Sequence, residues 1–201
     1  MTHLPNHKVT ITNEEINELP LGAFEGKVSV ITEPGKLEKA IADISKHAMV
    51  GFDTETKPVF VSGHSNKVSL LQIALPEKVY LIRLNQTGLT KPIIQFLENE
   101  SILKAGVALR DDIKGLQKLS HYHPAGFVEL AQLSKDAGLQ VESVKKLTAL
   151  LLGYRISKSA QTSNWEAETL HEKQISYAAT DAWVCLEIYK KLLKLQPKKA
   201  G

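Results

Sequence analysis

The chain has 201 residues, of which 43% are hydrophobic, so it can bury one substantial core, and its length falls within the range of a single domain. Its 25 basic and 22 acidic side chains leave a net charge of +3, which permits an anionic partner without requiring one. The single cysteine, Cys185, excludes an internal disulfide and a cysteine-based zinc cluster. No run approaches the roughly 18 apolar residues of a membrane helix, and residues 1–17 lack the apolar core of a signal peptide, so we expect no membrane association and a cytoplasmic location.

The sequence divides into a lead-in, a folded domain and a tail. Residues 1–26 are polar and follow neither the period of a strand nor that of a helix, which predicts an arm or a loosely packed lead-in. Residues 27–196 carry the patterns of a folded domain. The lysine-rich end is most simply a solvated helix end followed by a tail, residues 197–201.

Strand patterns dominate the first half of the domain and helical patterns the second. Alternation and turn residues predict strands at residues 27–31, 49–53, 68–75, 79–82 and 102–106. Helical signals predict helices at residues 35–47, from about residue 92, and at 111–119, 130–137, 143–152 and 170–195. Three consecutive strands predict an antiparallel meander, so the expected fold is a mixed α/β sheet flanked by helices.

Two carboxylates share one face of the strand that begins at Met49. Side chains alternate along a strand, so Asp53 and Glu55 point the same way, roughly 7 Å apart. Two like charges at that distance repel each other unless a cation lies between them, and Mg²⁺ or Mn²⁺ prefers such oxygen ligands. A solvated strand end can show the same tripeptide, so both interpretations stay open at this point.

A second group lies on the C-terminal helix, where Tyr177 and Asp181 are one turn apart. Both share a face with Val184, Cys185 and Ile188, which predicts that Asp181 faces the core. A carboxylate on an apolar stripe needs a hydrogen-bond partner or a metal, because burial of an isolated charge is costly. The pattern fits a metal ligand, and it also fits a structural aspartate bonded to backbone or tyrosine groups.

The helix after Gly106 offers two neighbouring acids. Asp112 shares a face with Leu109 and Leu116 and is predicted to face inward, whereas Asp111 faces outward. The helix dipole favours a negative charge at the start of a helix, which accounts for Asp111. Asp112 is therefore the candidate functional residue.

In chain order these groups form three motifs: Phe52-Asp53-Thr54-Glu55-Thr56, Lys104-Ala105-Gly106-Val107-Ala108-Leu109-Arg110-Asp111-Asp112 and Tyr177-Ala178-Ala179-Thr180-Asp181-Ala182. With them the chain resembles the DEDD 3′ to 5′ exonucleases, in the subgroup that carries tyrosine in the third motif and includes ribonuclease D and the Werner-syndrome exonuclease domain. Three intervening segments also resemble the Werner-type domain: Lys67-Val68-Ser69-Leu70-Leu71-Gln72-Ile73, Val128-Glu129-Leu130 and Ser163-Asn164-Trp165. The resemblance covers residues 28–195.

The resemblance implies a ribonuclease-H-like fold, with a mixed five-stranded sheet and helices on both sides. It also implies a two-metal mechanism that uses Mg²⁺ or Mn²⁺. Asp53 would bind both cations, Glu55 and Asp181 the first, and Asp112 the second through water. Tyr177 would orient the attacking water by hydrogen bonding, because a phenol with an ordinary pKa of about 10 is a poor base at neutral pH.

Five further residues are candidates for substrate contacts. Arg155 and Lys158 belong to a basic segment ahead of the third motif and could bind phosphates, although a solvated surface explains them equally well. Trp165 could stack on a base, although a structural tryptophan is the more common case. Lys57 and Lys67 flank the loop after the first motif and could approach the strand end or simply be solvated.

The leading hypothesis is hydrolysis of 3′-terminal phosphodiester bonds in nucleic acid, with release of nucleoside monophosphates. The Werner-like segments favour DNA. RNA trimming of the ribonuclease D kind is the alternative, because contacts to a 2′-hydroxyl cannot be read from the sequence. A non-catalytic adaptor that binds nucleic acid or protein is a third hypothesis, which the presence of all five catalytic residues disfavours.

Overall fold

The computed structural model describes residues 8–59 and 65–195. Its strands are β1 (Lys27–Ile31), β2 (Met49–Thr56), β3 (Val68–Ala74), β4 (Lys78–Arg83), β5 (Leu103–Gly106) and β6 (Phe127–Glu129). Its α-helices are α1 (Asn13–Glu18), α2 (Leu37–Ile44), α3 (Leu84–Thr87), α4 (Lys91–Leu97), α5 (Leu109–Gln117), α6 (Leu130–Asp136), α7 (Val144–Leu152) and α8 (Glu172–Leu195). None of the described helices is long and apolar enough to cross a membrane. The predicted tail, residues 197–201, lies outside the described residues.

The strands in the described part of the chain form one mixed, six-stranded sheet in the order β1-β4-β3-β2-β5-β6. β2, β3 and β4 pair antiparallel, which confirms the predicted meander, while β1, β5 and β6 join it in parallel. The predicted count of five strands was one too few. The reason is that a three-residue strand such as β6 is too short to show an alternating pattern.

Helices cover both faces of the sheet, as expected. All seven residues of β3 are buried, so neither of its faces meets solvent. One face packs against α2 and α4 in a core that contains Phe52 and Ile82. The other face packs against α8 through Leu70 and Leu81.

Two short helical regions differ from the prediction. The helix expected at residues 35–47 begins with a 3-10 turn, Pro34–Lys36, and its α-helical part ends at Ile44. The four-residue helix α3 was not predicted, because one turn is too short to show a helical period.

The N-terminal segment is better packed than its sequence pattern indicates. Helix α1 starts with a capping box, in which the side chains of Thr12 and Glu15 each accept a hydrogen bond from the other's backbone N–H. Ile11 and Ile16 are buried in the core beside α7 and α8. The described part of the predicted lead-in, residues 8–26, therefore contains a capped helix and two buried side chains, while most of its other residues are exposed.

A close approach between β2 and α8 brings two of the motifs together. Gly51 lies where the two elements cross, and a Cβ atom on it would lie 1.9 Å from the carbonyl oxygen of Ala182. A larger side chain would therefore push the helix away from the strand. Because Gly51 lies two residues before Asp53 and Ala182 directly follows Asp181, this contact sets the separation of the two acids.

Candidate active site

Strand β2 carries the first two acids. Asp53 lies opposite Gln72 of β3, and Glu55 lies opposite Leu70. Both acids are partly buried. Gln72 is buried and donates a hydrogen bond to the backbone oxygen of Ala178, which ties β3 to α8 directly beneath the acids.

Helix α8 supplies the third acid. The side chain of Asp181 faces the end of β2, as the position of its residue on the apolar stripe predicts. One carboxylate oxygen from each of Asp53, Glu55 and Asp181 lies within 4.8 Å of the others. The structure therefore brings together residues that are more than 120 positions apart in the sequence.

Burial raises the pKa of each acid in this cluster, and the charges of neighbouring carboxylates add to the shift at Asp53 and Glu55. Burial, followed by the charges of Asp181, Asp112 and Glu55, raises the pKa of Asp53 well above its usual value. Burial and the charges of Asp181 and Asp112 raise the pKa of Glu55 to about 8. Burial raises the pKa of Asp181 to about 6. Three acids that resist joint ionisation form a site that a bound cation would stabilise.

Tyr177 lies one turn before Asp181 and is almost completely buried. Burial, followed by the charges of Asp181 and Glu55, raises the pKa of its hydroxyl above the usual value of a phenol. The hydroxyl therefore stays protonated at neutral pH and can donate a hydrogen bond into the site.

Trp165 is a structural residue behind Tyr177. Its side chain has no exposed surface, and its ring centroid lies 6.0 Å from that of Tyr177. Of the two alternatives for Trp165, this burial favours the structural role, because a buried ring offers no face to a nucleotide. The buried guanidinium of Arg83 donates to the backbone oxygens of Ala167 and Glu168, which holds the segment that carries Trp165.

Asp112 lies near the acidic cluster but is not one of the three acids whose carboxylate oxygens lie within 4.8 Å of one another. It is partly buried while Asp111 is exposed, as the helical pattern predicts. The hydroxyl of Thr54 donates a hydrogen bond to Asp112, on the face of β2 opposite to Asp53. Burial raises the pKa of Asp112 to about 6, and its charge in turn raises the pKa of Asp53 and Glu55. Asp112 lines a neighbouring cleft with Thr54 rather than the cleft of the three clustered acids.

Glu129 is a residue whose role the sequence reasoning missed. Its carboxylate accepts hydrogen bonds from the backbone N–H groups of Ala108 at 3.1 Å, Leu109 at 2.9 Å and Ala131 at 3.2 Å. One side chain thus caps both α5, which carries Asp112, and α6. The cap holds Ala108 in a left-handed conformation with φ of 59°. Glutamate is not among the usual N-cap residues, so this role could not be predicted from the sequence.

The clustered acids open into a cleft of about 330 Å³. Of the predicted basic contacts, Lys158 lines this cleft, is exposed, and lowers the pKa of Asp181 by its charge. Lys145 also lines the cleft. Two basic side chains therefore line the same cleft as the acids and can attract an anion to it.

The other predicted contacts have different surroundings. Arg155 donates through Nε to the backbone oxygen of Leu19 at 3.1 Å, so the guanidinium holds the N-terminal segment. Lys57 forms an ion pair with Glu166 at 3.4 Å, and Lys67 is exposed on the surface ahead of β3 without lining the cleft. The structure therefore brings Lys158, but not Arg155, Lys57 or Lys67, into the cleft of the acids.

The sheet and its acidic centre define an α/β domain with the features of a metal-dependent nuclease. A family model described as 3′-5′ exonuclease matches residues 28–196. The chain therefore belongs to the 3′-5′ exonuclease family, as the three motifs predicted.

Two curated relatives carry the name of this activity. The chain is 37% identical over 158 residues to "Exonuclease 3′-5′ domain-containing protein 2" of Drosophila melanogaster, an alignment that covers 75% of the chain and 26% of the relative. It is 32% identical over 186 residues to "Bifunctional 3′-5′ exonuclease/ATP-dependent helicase WRN" of Mus musculus, which covers 88% of the chain and 13% of the relative. The chain thus spans about a quarter or less of the length of these relatives.

A solved structure supports the fold. The structure of Trypanosoma brucei RNase D in complex with RNA U12 superposes with a TM-score of 0.75 at 18% identity, over 88% of this chain and 65% of that one. At this level of identity the similarity concerns the fold. The predicted ribonuclease-H-like class is confirmed, with six strands in place of five.

Proposed function

We propose that this chain removes nucleotides from the 3′ end of nucleic acid by metal-dependent hydrolysis, with two divalent cations, Mg²⁺ or Mn²⁺, in the acidic cleft. The observation that carries the proposal is the approach of the carboxylates of Asp53, Glu55 and Asp181 to within 4.8 Å of one another. Membership of the 3′-5′ exonuclease family supports the polarity of the reaction.

The donor set fits such cations. The three carboxylates offer hard oxygen atoms. Burial raises the pKa of all three, and repulsion between carboxylates adds to the shift at Asp53 and Glu55, so a divalent cation would stabilise their ionised forms. We propose that Asp53, Glu55 and Asp181 hold one cation. We propose that Asp112, whose charge raises the pKa of both Asp53 and Glu55, supports the second together with Asp53. When bound, the cations would lower the pKa of a water molecule and offset charge on the phosphodiester.

Two further side chains would act on the substrate. The protonated hydroxyl of Tyr177 can orient a water molecule next to Asp181, and it needs no proton loss to do so. The ammonium group of Lys158 is exposed at the same cleft and can attract a phosphate of the incoming strand. The role of Tyr177 is therefore positioning of the nucleophile, and that of Lys158 is binding.

The substrate that we propose is a nucleic-acid strand with a free 3′ end. The Werner-like segments favoured DNA. However, the Trypanosoma brucei RNase D structure contains RNA, so that preference lacks support from the neighbours. The experiment below therefore decides whether the enzyme prefers the deoxyribose of DNA or the ribose of RNA.

The test uses DNA and RNA oligonucleotides of the same sequence, each labelled at the 5′ end, with Mg²⁺, Mn²⁺ or EDTA. We expect a ladder of products that shorten one nucleotide at a time from the 3′ end, with cations but not with EDTA. Immediate release of the label as a mononucleotide would contradict the polarity.

A variant pair separates an enzyme from a non-catalytic adaptor. Asp53→Asn removes a proposed ligand of both cations and is expected to abolish turnover while the protein keeps its fold. Asp136→Asn changes an exposed acid on α6 and is expected to keep full activity. Equal activity of the two variants would contradict the proposed catalytic site, and absence of cleavage by the unaltered protein would favour an adaptor.

A further inference from the structure

A buried amide lies in the apolar layer between the sheet and α8. Leu70, Gln72 and Ala74 alternate along β3 and therefore share the face of that strand that packs on α8. Leu70 and Ala74 are buried there together with Ala178 and Ala179 of the helix. Gln72 is fully buried as well, so a long polar side chain lies among small and apolar ones.

Folding stability does not explain why this residue is a glutamine. Its Nε2 donates to the backbone oxygen of Ala178 at 3.4 Å, which is longer than most hydrogen bonds. Its Oε1 is buried and has no hydrogen-bond partner in the described part of the chain. Burial of an amide with part of its hydrogen-bonding capacity unsatisfied is less favourable than burial of an apolar side chain of similar size. The glutamine therefore needs another explanation.

The strand pairing places Gln72 beside the first acid of the site. Gln72 lies directly opposite Asp53 in the antiparallel pairing of β2 and β3. The side chains of two opposed residues lie on the same face of a sheet, with Cβ atoms about 4.5 to 5.5 Å apart. The side chain of Gln72 therefore runs alongside that of Asp53, on the face that packs on α8.

The second acid of β2 receives a hydrogen bond from Gln72. Burial and the charges of neighbouring carboxylates raise the pKa of Glu55, while the hydrogen bond from the Gln72 side chain lowers it. An N–H group that donates to a carboxylate stabilises its ionised form, which is the form that binds a cation. This contact therefore favours Glu55 as a metal ligand.

The bond from Gln72 to Ala178 reaches the helix that carries the third acid. Ala178 directly follows Tyr177 and lies three residues before Asp181. The amide that lies beside the acids of β2 is thus also bonded to the segment of α8 between the tyrosine and the third acid. One side chain therefore connects the two elements that supply the clustered carboxylates.

We propose that Gln72 is a positioning residue, which holds Glu55 on β2 and Asp181 on α8 in the geometry that binds the first cation. The proposal rests on the proposed exonuclease function. The amide of glutamine has two N–H donors, so it can bond the Ala178 oxygen and the Glu55 carboxylate at once, whereas an apolar side chain can bond neither. Loss of a residue that orients metal ligands typically lowers metal affinity by about 10- to 100-fold.

The test measures Mn²⁺ binding in the absence of substrate, from the electron paramagnetic resonance signal of free Mn²⁺. Gln72→Met keeps the approximate length and volume of the side chain and removes both N–H donors. We expect it to raise the Mn²⁺ dissociation constant about tenfold or more, while the metal-free variant melts close to the unaltered protein. Saturating Mn²⁺ should restore most of kcat, because the residue acts through the ligands and not on the substrate.

Ser134→Ala is the control for the loss of a buried hydrogen bond elsewhere. Ser134 is buried on α6 and donates to the backbone oxygen of Val141 at 2.6 Å. Its loss should lower the melting temperature and leave the Mn²⁺ dissociation constant unchanged, which is also the result that a purely structural Gln72 would give. Gln72→Asn keeps the amide but shortens its reach, so we expect this second variant to weaken Mn²⁺ binding as well.

The outcomes separate the role of Gln72 from the proposed function. If the unaltered protein binds Mn²⁺ and cleaves, an unchanged Mn²⁺ dissociation constant in both Gln72 variants, or in whichever of them folds, would overturn the role of Gln72 alone. Absence of Mn²⁺ binding by the unaltered protein would overturn the metal site and this role together. Mn²⁺ binding without cleavage from the 3′ end would overturn the proposed function, and weaker binding in Gln72→Met would then still assign Gln72 to the metal site.

Discussion

In the absence of divalent cations, the folding stability of this protein should fall as the pH rises. The acids of the site have pKa values above their usual range in the folded state, so between about pH 4.5 and pH 8 the folded protein binds more protons than the unfolded chain. Stability falls with rising pH wherever the folded state binds more protons. The loss of folding stability that ionisation of the clustered acids causes is therefore absent below about pH 4 and complete above about pH 8.

The size of the effect follows from the shift of one acid. The pKa of Asp181 rises from 3.8 to about 6, which is a difference of about two units. At about 1.4 kcal/mol per unit, and with a discount for the coupling among the acids, this corresponds to a loss on the order of 2 kcal/mol at neutral pH. For a domain of this length, such a loss lowers the melting temperature by about 4 to 8 °C.

The assay is a thermal melt of the metal-free protein at pH 5.5 and pH 8, repeated with millimolar Mg²⁺ or Mn²⁺ and with Asp53→Asn. We expect the cation to raise the melting temperature more at pH 8 than at pH 5.5, because it stabilises only the folded state with ionised ligands. Asp53→Asn, which removes one of the repelling charges, should narrow the difference between the two pH values, and Asp136→Asn should not. An unchanged melting temperature on addition of the cation at pH 8 would refute the reasoning.

Two further predictions concern residues around the site. Glu129→Gln should lower kcat about tenfold and raise the Mn²⁺ concentration that gives half-maximal activity, since residues that position metal ligands affect metal affinity or activity by about 10- to 100-fold. The reason is that the single amide oxygen of glutamine cannot replace the two carboxylate oxygens that accept from three N–H groups. Partial recovery in Glu129→Asp would support positioning of Asp112, whereas an unchanged Mn²⁺ requirement in Glu129→Gln would contradict it. Lys158→Ala should raise KM and reduce the salt dependence of substrate binding by about one phosphate contact, while Lys135→Ala on the exposed face of α6 should leave both unchanged.

The local geometry of the acids could be predicted because it depends on backbone periodicity alone. Alternation on β2 put Asp53 and Glu55 on one face, and the helical period put Tyr177 with Asp181 and favoured Asp112 over Asp111. The structure agrees with each of these placements. Neighbours within a few residues determine such patterns, so they can be read without knowledge of the fold.

Several roles could not be predicted because the contacts join distant parts of the chain. Arg155 appeared as a candidate phosphate contact, yet its guanidinium bonds Leu19, 136 positions away. Trp165 appeared as a possible stacking residue, yet it is buried behind Tyr177. A side chain in isolation has the same chemistry in both roles, and only its neighbours in the folded chain decide between them.

The sequence by itself determined the longer elements, the meander and the faces on which the acids lie, since short-range patterns of apolar and polar residues specify these features. Only the tertiary structure decided how far apart the acids are, because that distance depends on the contact between Gly51 and Ala182, where the absence of a side chain lets α8 lie on β2. The tertiary structure also assigned the capping role of Glu129 and placed Leu21, Gly22 and Ala23 beside α8. Packing brings together groups that no local pattern connects.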